Sequence, residues 1–231
     1  MLDSPQLESA LIVAPHADDE ALGAGGLIHR LARRGGAVHV MFAAVDGMQH
    51  YGTDHHTSVE EREAEIQAAA RILGFSYSII YRGRGLIEKL DTIAQREMVD
   101  VFEQALNRLR PDLFVLPHGV DFDQDHRACF QAAFAAARPI PTSFGKFLPL
   151  RVISYEMPKL TWSEQAFQPN LYLNISDDID TKLAAVKAYS SQLRATPHVR
   201  SLDNLRALAH LRGSEAGIQY AESFRIHRWV L

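Results

Sequence analysis

Near-continuous apolar runs of strand length, each followed by a segment of helical period, constrain the fold of this 231-residue chain more than any other feature. The clearest runs are Ala10 to Pro15, Val38 to Val45, Tyr77 to Tyr81 and Leu113 to Pro117, with further strand candidates at Val152 to Met157 and Leu171 to Ile175. Side chains alternate between the two faces of a strand, so a strand apolar at successive positions must be covered on both. Helical patterns from Glu20 to Arg34 and from Val59 to Leu73 stop at Gly35-Gly36 and Gly74, which are good helix terminators. Asp91 to Leu109 precedes Pro111, Asp125 to Arg138 precedes Pro139, and two more patterns run from Ile179 to Arg194 and from Leu202 to Arg212. This alternation predicts an α/β fold with a mostly parallel sheet and helices on both faces. No repeat, low-complexity tract or Ser/Gly-rich linker interrupts it, so residues 1–231 read as a single domain.

Composition excludes several function classes. The net charge of −4 is spread along the chain, and the only tight basic clusters, Arg33-Arg34 and Arg82-Gly83-Arg84, are too small to track a phosphate backbone. Nucleic acid is therefore not an expected partner, and with no apolar run of about 18 residues neither is insertion in a membrane. One cysteine, Cys129, permits neither an internal disulfide nor a thiolate zinc cage. The first residues lack a basic stretch before an apolar core, and a reduced, cytoplasmic protein is the expectation. Assembly into a homo-oligomer is left open.

In parallel sheets ligands bind outside the carboxyl ends of the strands. The first run leads directly into His16-Ala17-Asp18-Asp19-Glu20. An imidazole and a carboxylate three residues apart on a turn can converge on one cation, and catalytic zinc favours such nitrogen and oxygen ligands. Asp18 would then be free to take a proton. Helix capping by Asp18 and Asp19 is the plainer alternative. Dinucleotide binding through Gly23, Gly25 and Gly26 is excluded by position, because the place where backbone amides would meet a pyrophosphate holds three acids. Those glycines read instead as sites of close packing on the sheet.

The fourth run leads into His118-Gly119-Val120-Asp121-Phe122-Asp123-Gln124-Asp125-His126. A calcium loop is excluded, since His126 and Ala132 stand where glycine and a bidentate glutamate are needed. His126 is the natural third zinc ligand, with Asp121, Asp123 and Asp125 orienting rings or water behind the ligands. A lone histidine at a helix start is more often a cap, but two such clusters at two strand ends favour a metal. The loop Asp46 to His56 follows the second run and reads as a lid, and its His55-His56 pair as solvated residues rather than a second metal site.

These motifs resemble those of the LmbE/PIG-L family of zinc-dependent N-deacetylases. Pro15-His16-Ala17-Asp18-Asp19-Glu20 is similar to the family's (P/A)-H-P-D-D-E, with Ala17 for the usual proline, and Leu22-Gly23-Ala24-Gly25-Gly26 to its L-G-x-G-G. Arg62 to Glu65 with Ala69 to Gly74, Asp125-His126-Arg127, Lys182 to Gln192 and Arg212 to Phe224 extend the likeness over nearly the whole chain. The resemblance implies a Rossmann-like fold, Zn²⁺ held by His16, Asp19 and His126, Asp18 as general base, and Arg62 holding the substrate. It also implies a small N-acetylated sugar or sugar-containing metabolite as substrate, with an acetyl group removed from the amide nitrogen. Many members carry histidine where this chain has Asp123, and an aspartate anion cannot stabilise an oxyanion. His198, in Pro197-His198-Val199-Arg200, is the candidate for the missing acid or oxyanion contact, and Arg200 is a second substrate-binding candidate. Another metal-dependent amide or ester hydrolase, or a non-catalytic sugar-binding protein on the same fold, remains open at this point.

Overall fold

The apolar runs pair into one twisted sheet. The computed structural model describes residues 7–49, 56–162 and 165–231. Strands β1 (Ser9–Ala14), β2 (Ala37–Val45), β5 (Ser76–Arg82), β6 (Leu113–Leu116) and β7 (Arg151–Tyr155) are parallel, while β8 (Leu171–Asn174) and β9 (Ala221–Trp229) complete the seven-stranded order β5-β2-β1-β6-β7-β9-β8. Strand β9 is antiparallel to both neighbours. A separate two-stranded ribbon joins β3 (Met48–Gln49) to β4 (His56–Thr57).

The helices are α1 (Asp19–Ala32), α2 (Val59–Leu73), α3 (Gln95–Leu109), α4 (Gln124–Ala136), α5 (Ile179–Ala188) and α6 (Leu202–Ala216). Successive residues of the central strands feed different cores, which is why those strands read as uninterrupted apolar runs. Ile12, Ala14, Val40, Phe42 and Val115 pack in the core shared with α1, α2 and α5. Leu11, Val13, Met41, Phe114 and Leu116 pack in the core under α3 and α4. The glycines of α1 are packing sites: a Cβ on Gly23 would lie 2.2 Å from the Tyr155 ring, and one on Gly26 would lie 2.5 Å from Ile175. Between them Ala24 leaves helical geometry and kinks α1. The amide N–H groups of Gly26 and Leu27 donate to the Glu222 carboxylate at 2.8 Å each.

Three segments depart from the expected pattern. Strand β9 gave no apolar run, because Glu222, Arg225, His227 and Arg228 punctuate it, yet Glu222 is buried against Lys182 and the α1 amides. The helix expected from Asp91 starts only at Gln95, after a short 3-10 turn at Leu90–Thr92 whose Leu90 N–H donates to Asp125. The helix expected to reach Arg194 ends at Ala188, since Tyr189 turns inward to donate to Glu20 at 2.5 Å. Residues 50–55, and with them His55 and most of the anticipated lid, lie outside the described residues. Among the described residues no helix is long and apolar enough to cross a membrane.

Candidate active site

Strands β1 and β6 are neighbours, Ile12 lying opposite Val115, so the two acid–histidine clusters leave the sheet side by side. From β1 the chain winds to β2 on one side, while β6 continues to β7 on the other. The crevice at such a reversal is where parallel sheets hold ligands. His16, Asp19 and His126 converge there, each offering a ligand atom within 4.8 Å of the others.

The carboxylates behind the rings decide which nitrogen each ring presents. His16 Nε2 is 2.8 Å from Asp125 Oδ2, while its Nδ1 is 3.5 Å from Asp19 Oδ2. His126 Nδ1 lies 3.0 Å from Asp121 Oδ2, a charge contact not in line for a full hydrogen bond, while its Nε2 is 3.2 Å from the same Asp19 oxygen. Each imidazole therefore has one nitrogen backed by a carboxylate and the other turned toward Asp19. Two imidazole nitrogens and one carboxylate, the rings held from behind, form a donor set suited to a divalent transition metal. Burial opposes charging His16, but the hydrogen bonds it donates to Asp125 and Asp19 prevail and lift it to about 10. His126 is raised in the same sense, and Asp19, although buried, is held well below the usual carboxylate range by His126 and His16. The cluster strongly favours positive charge at its centre.

Asp18 sits at the α1 N-terminus with φ of 118°. That conformation is strained for any residue but glycine, and such strain collects at functional sites. Its carboxyl group is buried, which pushes its pKa up, and Arg200 Nη1 approaches Oδ2 at 3.2 Å and partly offsets the burial. Asp125 also accepts the N–H groups of Glu88 at 2.6 Å and Leu90 at 2.8 Å, and Glu88 is itself left-handed. Asp46 grips the preceding turn through Gly85, Leu86 and Ile87. Two buried carboxylates thus fix the backbone that forms one wall of the site.

The cavity above the cluster has a volume of about 440 Å³, the size of a small-molecule site, and is bordered by Asp18, Met48, Phe122, Lys159, His198 and Arg200 among others. Arg62 also reaches its wall, but both Nη atoms are committed: Nη1 donates to Glu65 and Ser191, and Nη2 donates to the Ala17 carbonyl at 2.7 Å. Its buried Nε has no hydrogen-bond partner among the described residues. His198 lines the cavity with its Nδ1 accepting the Arg200 N–H at 3.1 Å; burial and the nearby Arg200 and Arg194 lower its pKa.

Asp123 does not back either imidazole as Asp121 and Asp125 do, its Oδ2 lying 3.9 Å from His126 Nε2. It caps α4 by accepting the Asp125 N–H, and its other oxygen binds Lys159 Nζ at 2.8 Å. Lys159 was not anticipated. The only sequence signal was its position just past the apolar run from Val152 to Met157. Arg194 and Gln192, on the segment after Tyr189, were missed because that stretch read as a continuing helix.

The family model described as GlcNAc-PI de-N-acetylase, PIG-L, matches residues 11–137, more than half of the chain. An uncharacterized deacetylase of Escherichia coli K12, YaiS, is 30% identical over 206 residues, covering 83% of this chain and 98% of that protein. The diacetylchitobiose deacetylase of Thermococcus kodakarensis is 24% identical over 231 residues, covering 95% of this chain and 83% of the relative. Among solved structures, GalB, a 4-carboxy-2-hydroxymuconate hydratase from Pseudomonas putida KT2440, superposes with a TM-score of 0.77 at 24% identity, covering 97% of this chain and 98% of that one. At that identity the likeness to GalB is one of fold.

Proposed function

Since the chain belongs to the PIG-L family, we propose that it is a Zn²⁺-dependent hydrolase that removes an acetyl group from the amide nitrogen of a small N-acetylated sugar. The observation that carries this reading is the convergence of His16, Asp19 and His126, with Asp18 beside them at the floor of the cavity. The diacetylchitobiose deacetylase likeness supports an amino-sugar substrate.

Zn²⁺ held by His16, Asp19 and His126 would lower the pKa of a water toward about 7 and polarise the acyl carbonyl. Asp125 holds His16 in the tautomer that leaves Nδ1 able to bind, and the Asp121 carboxylate beside His126 Nδ1 favours the proton there and leaves Nε2 able to bind. Asp18, next in sequence to a ligand and not itself part of the triad, takes the proton as water attacks the carbonyl carbon. As the carbon–nitrogen bond breaks, the departing amine needs a proton, and the newly protonated Asp18 is placed to return it. Arg200 keeps the Asp18 carboxylate turned into the cavity and offers its remaining N–H groups to substrate oxygens. Arg62, already bound to the Ala17 carbonyl, chiefly fixes the turn that carries Asp18, and as part of the cavity wall it borders the substrate. Burial and the nearby Arg200 and Arg194 shift His198 toward its neutral ring, and with Nδ1 accepting the Arg200 N–H its Nε2–H serves as a hydrogen-bond donor to the sugar or the departing amine.

The test is amine and acetate release from N-acetylglucosamine and diacetylchitobiose, run beside an acetyl ester and a phosphate monoester. Chelation should abolish amine release and added zinc restore it. A zinc-loaded protein that hydrolyses the ester or phosphoester but no N-acetyl sugar would overturn the proposal.

A further inference from the structure

Hydrolysis of an amide places a full negative charge on the former carbonyl oxygen, and a cationic donor aimed at that oxygen stabilises the transition state. Asp123, which stands where many relatives have a histidine, cannot do this itself, but it holds a residue that can. Lys159 is the second residue of a short 3-10 turn, Pro158–Trp162, that follows β7. Its Nζ lies 2.8 Å from Asp123 Oδ2 and 3.2 Å from His126 Nε2, the nitrogen turned toward Asp19, with Asp121 Oδ1 at 3.8 Å. The Phe122 ring lies beneath it, 5.3 Å from Nζ to the centroid. The ammonium borders the same cavity as Asp18 and Arg200.

We propose that Lys159, positioned by Asp123, is a catalytic residue that donates a hydrogen bond to the carbonyl oxygen as it becomes an oxyanion. The inference rests on the deacetylase reading of the cavity. Of its three N–H groups, one is spent on Asp123 and one faces His126 Nε2. A metal ligated by His126 takes over that nitrogen's lone pair, and the N–H that faced it is released toward the cavity. The cation stays in place because Asp123 and Asp121 flank it on the other side. A charge-assisted donor at this point does for the oxyanion what an imidazolium at position 123 would do. Asp123 is then a positioning residue, and the departure at 123 is a relocation of the positive group to the turn after β7.

Lys159→Met and Lys159→Arg, each loaded with zinc or cobalt, separate this role from simple neutralisation of an acidic cluster. Metal affinity, measured by chelator competition, should be unchanged or higher in Lys159→Met, since a positive charge beside the ligands is removed. Acetate, the anionic product, should bind the cobalt-loaded Lys159→Met about tenfold more weakly by visible absorption, and Lys159→Arg should stay within about threefold of wild type. With N-acetylglucosamine or diacetylchitobiose, kcat of Lys159→Met should fall about 10²-fold with KM within threefold, as loss of one oxyanion donor does. Acetate binding equal to wild type in a metal-loaded Lys159→Met would overturn the inference, and so would an unchanged kcat. A wild-type protein that releases no amine refutes the deacetylase reading instead, and the acetate titration still decides the role of Lys159.

Discussion

Asp125→Asn replaces one atom in a carboxylate that joins His16 to the backbone wall of the site. Asp125 is fully buried, and its oxygens serve three donors: Oδ2 accepts from His16 Nε2 at 2.8 Å and the Glu88 N–H at 2.6 Å, and Oδ1 accepts the Leu90 N–H at 2.8 Å. A carboxamide has one acceptor oxygen. With that oxygen in the Oδ2 position, the amide NH₂ faces the Leu90 N–H and one buried donor is lost. In the opposite orientation two donors are lost, so the first is the form that persists. One buried donor facing another costs about 1–3 kcal/mol. Taking about 2 kcal/mol, a chain of this length should melt roughly 4–8 °C lower. The His16 ring keeps an acceptor, but a neutral one, and loss of such support behind a ligand typically lowers metal affinity 10–100-fold.

Melting curves with and without metal, and zinc affinity by chelator competition, read the two effects separately. Asp125→Asn should show the melting shift in metal-free protein and about a tenfold loss of zinc affinity. Asp125→Ala, which leaves all three donors unmet, should lose more on both scales. Zinc affinity equal to wild type in a folded Asp125→Asn would refute the claim that Asp125 orients a ligand. It would then be only a clamp on the Glu88 to Leu90 backbone.

Asp18→Asn should lower kcat about 10²–10⁴-fold while zinc remains bound, because asparagine accepts the left-handed backbone but cannot accept the proton; activity within fivefold of wild type would remove Asp18 from the base role. Gly23→Ala puts a methyl group 2.2 Å from the Tyr155 ring and should destabilise by about 1–3 kcal/mol, and an unshifted denaturant midpoint would show that this helix–sheet contact is slack. Burial, helped by His118 and Arg225, lowers His227 from 6.5 to about 4, so the fold favours its neutral ring. That stability is complete above pH 6.5 and is lost as pH falls toward 4, because the unfolded chain takes up the proton first. Wild type should therefore lose more stability than His227→Gln between pH 7 and 4.5, and parallel losses would refute the assignment.

The parts of the site legible in the sequence were those whose chemistry stands immediately after an apolar run. His16, Asp18 and Asp19 follow β1, and Asp121 to His126 follow β6, so strand periodicity and the strand-end rule located them together. Hidden from sequence were contacts created by the backbone itself. Nothing in Glu88 announces that its N–H is needed by a carboxylate 37 residues away. Nothing in Met157-Pro158-Lys159 shows that β7 lies beside β6 and delivers an ammonium to Asp123. Strand β9 escaped for a related reason: its Glu222 meets buried partners from α1 and α5, so the polarity of its sequence concealed an interior strand.

Strand order explains why so small a set of residues can build the site. His16 and Asp125 are 109 residues apart, yet Ala10 pairs with Leu113 and Ile12 with Val115, so both chains leave the sheet at one level. Because the connection from β1 runs away from β6, the side chains at their carboxyl ends face one another across the gap between the two strands. The donors are then set by two short-range devices. The left-handed turn at Asp18 directs adjacent carboxylates to different tasks, one to the histidines and one to Arg200. The alternating aspartates at 121, 123 and 125 direct theirs to His126, Lys159 and His16. Shifting that second series by one residue would exchange its buried and exposed members. An insertion of one alanine between Phe122 and Asp123 should therefore abolish zinc binding while β6 and α4 remain folded, and an insertion variant that still binds zinc with wild-type affinity would show that the spacing is not what sets the donors.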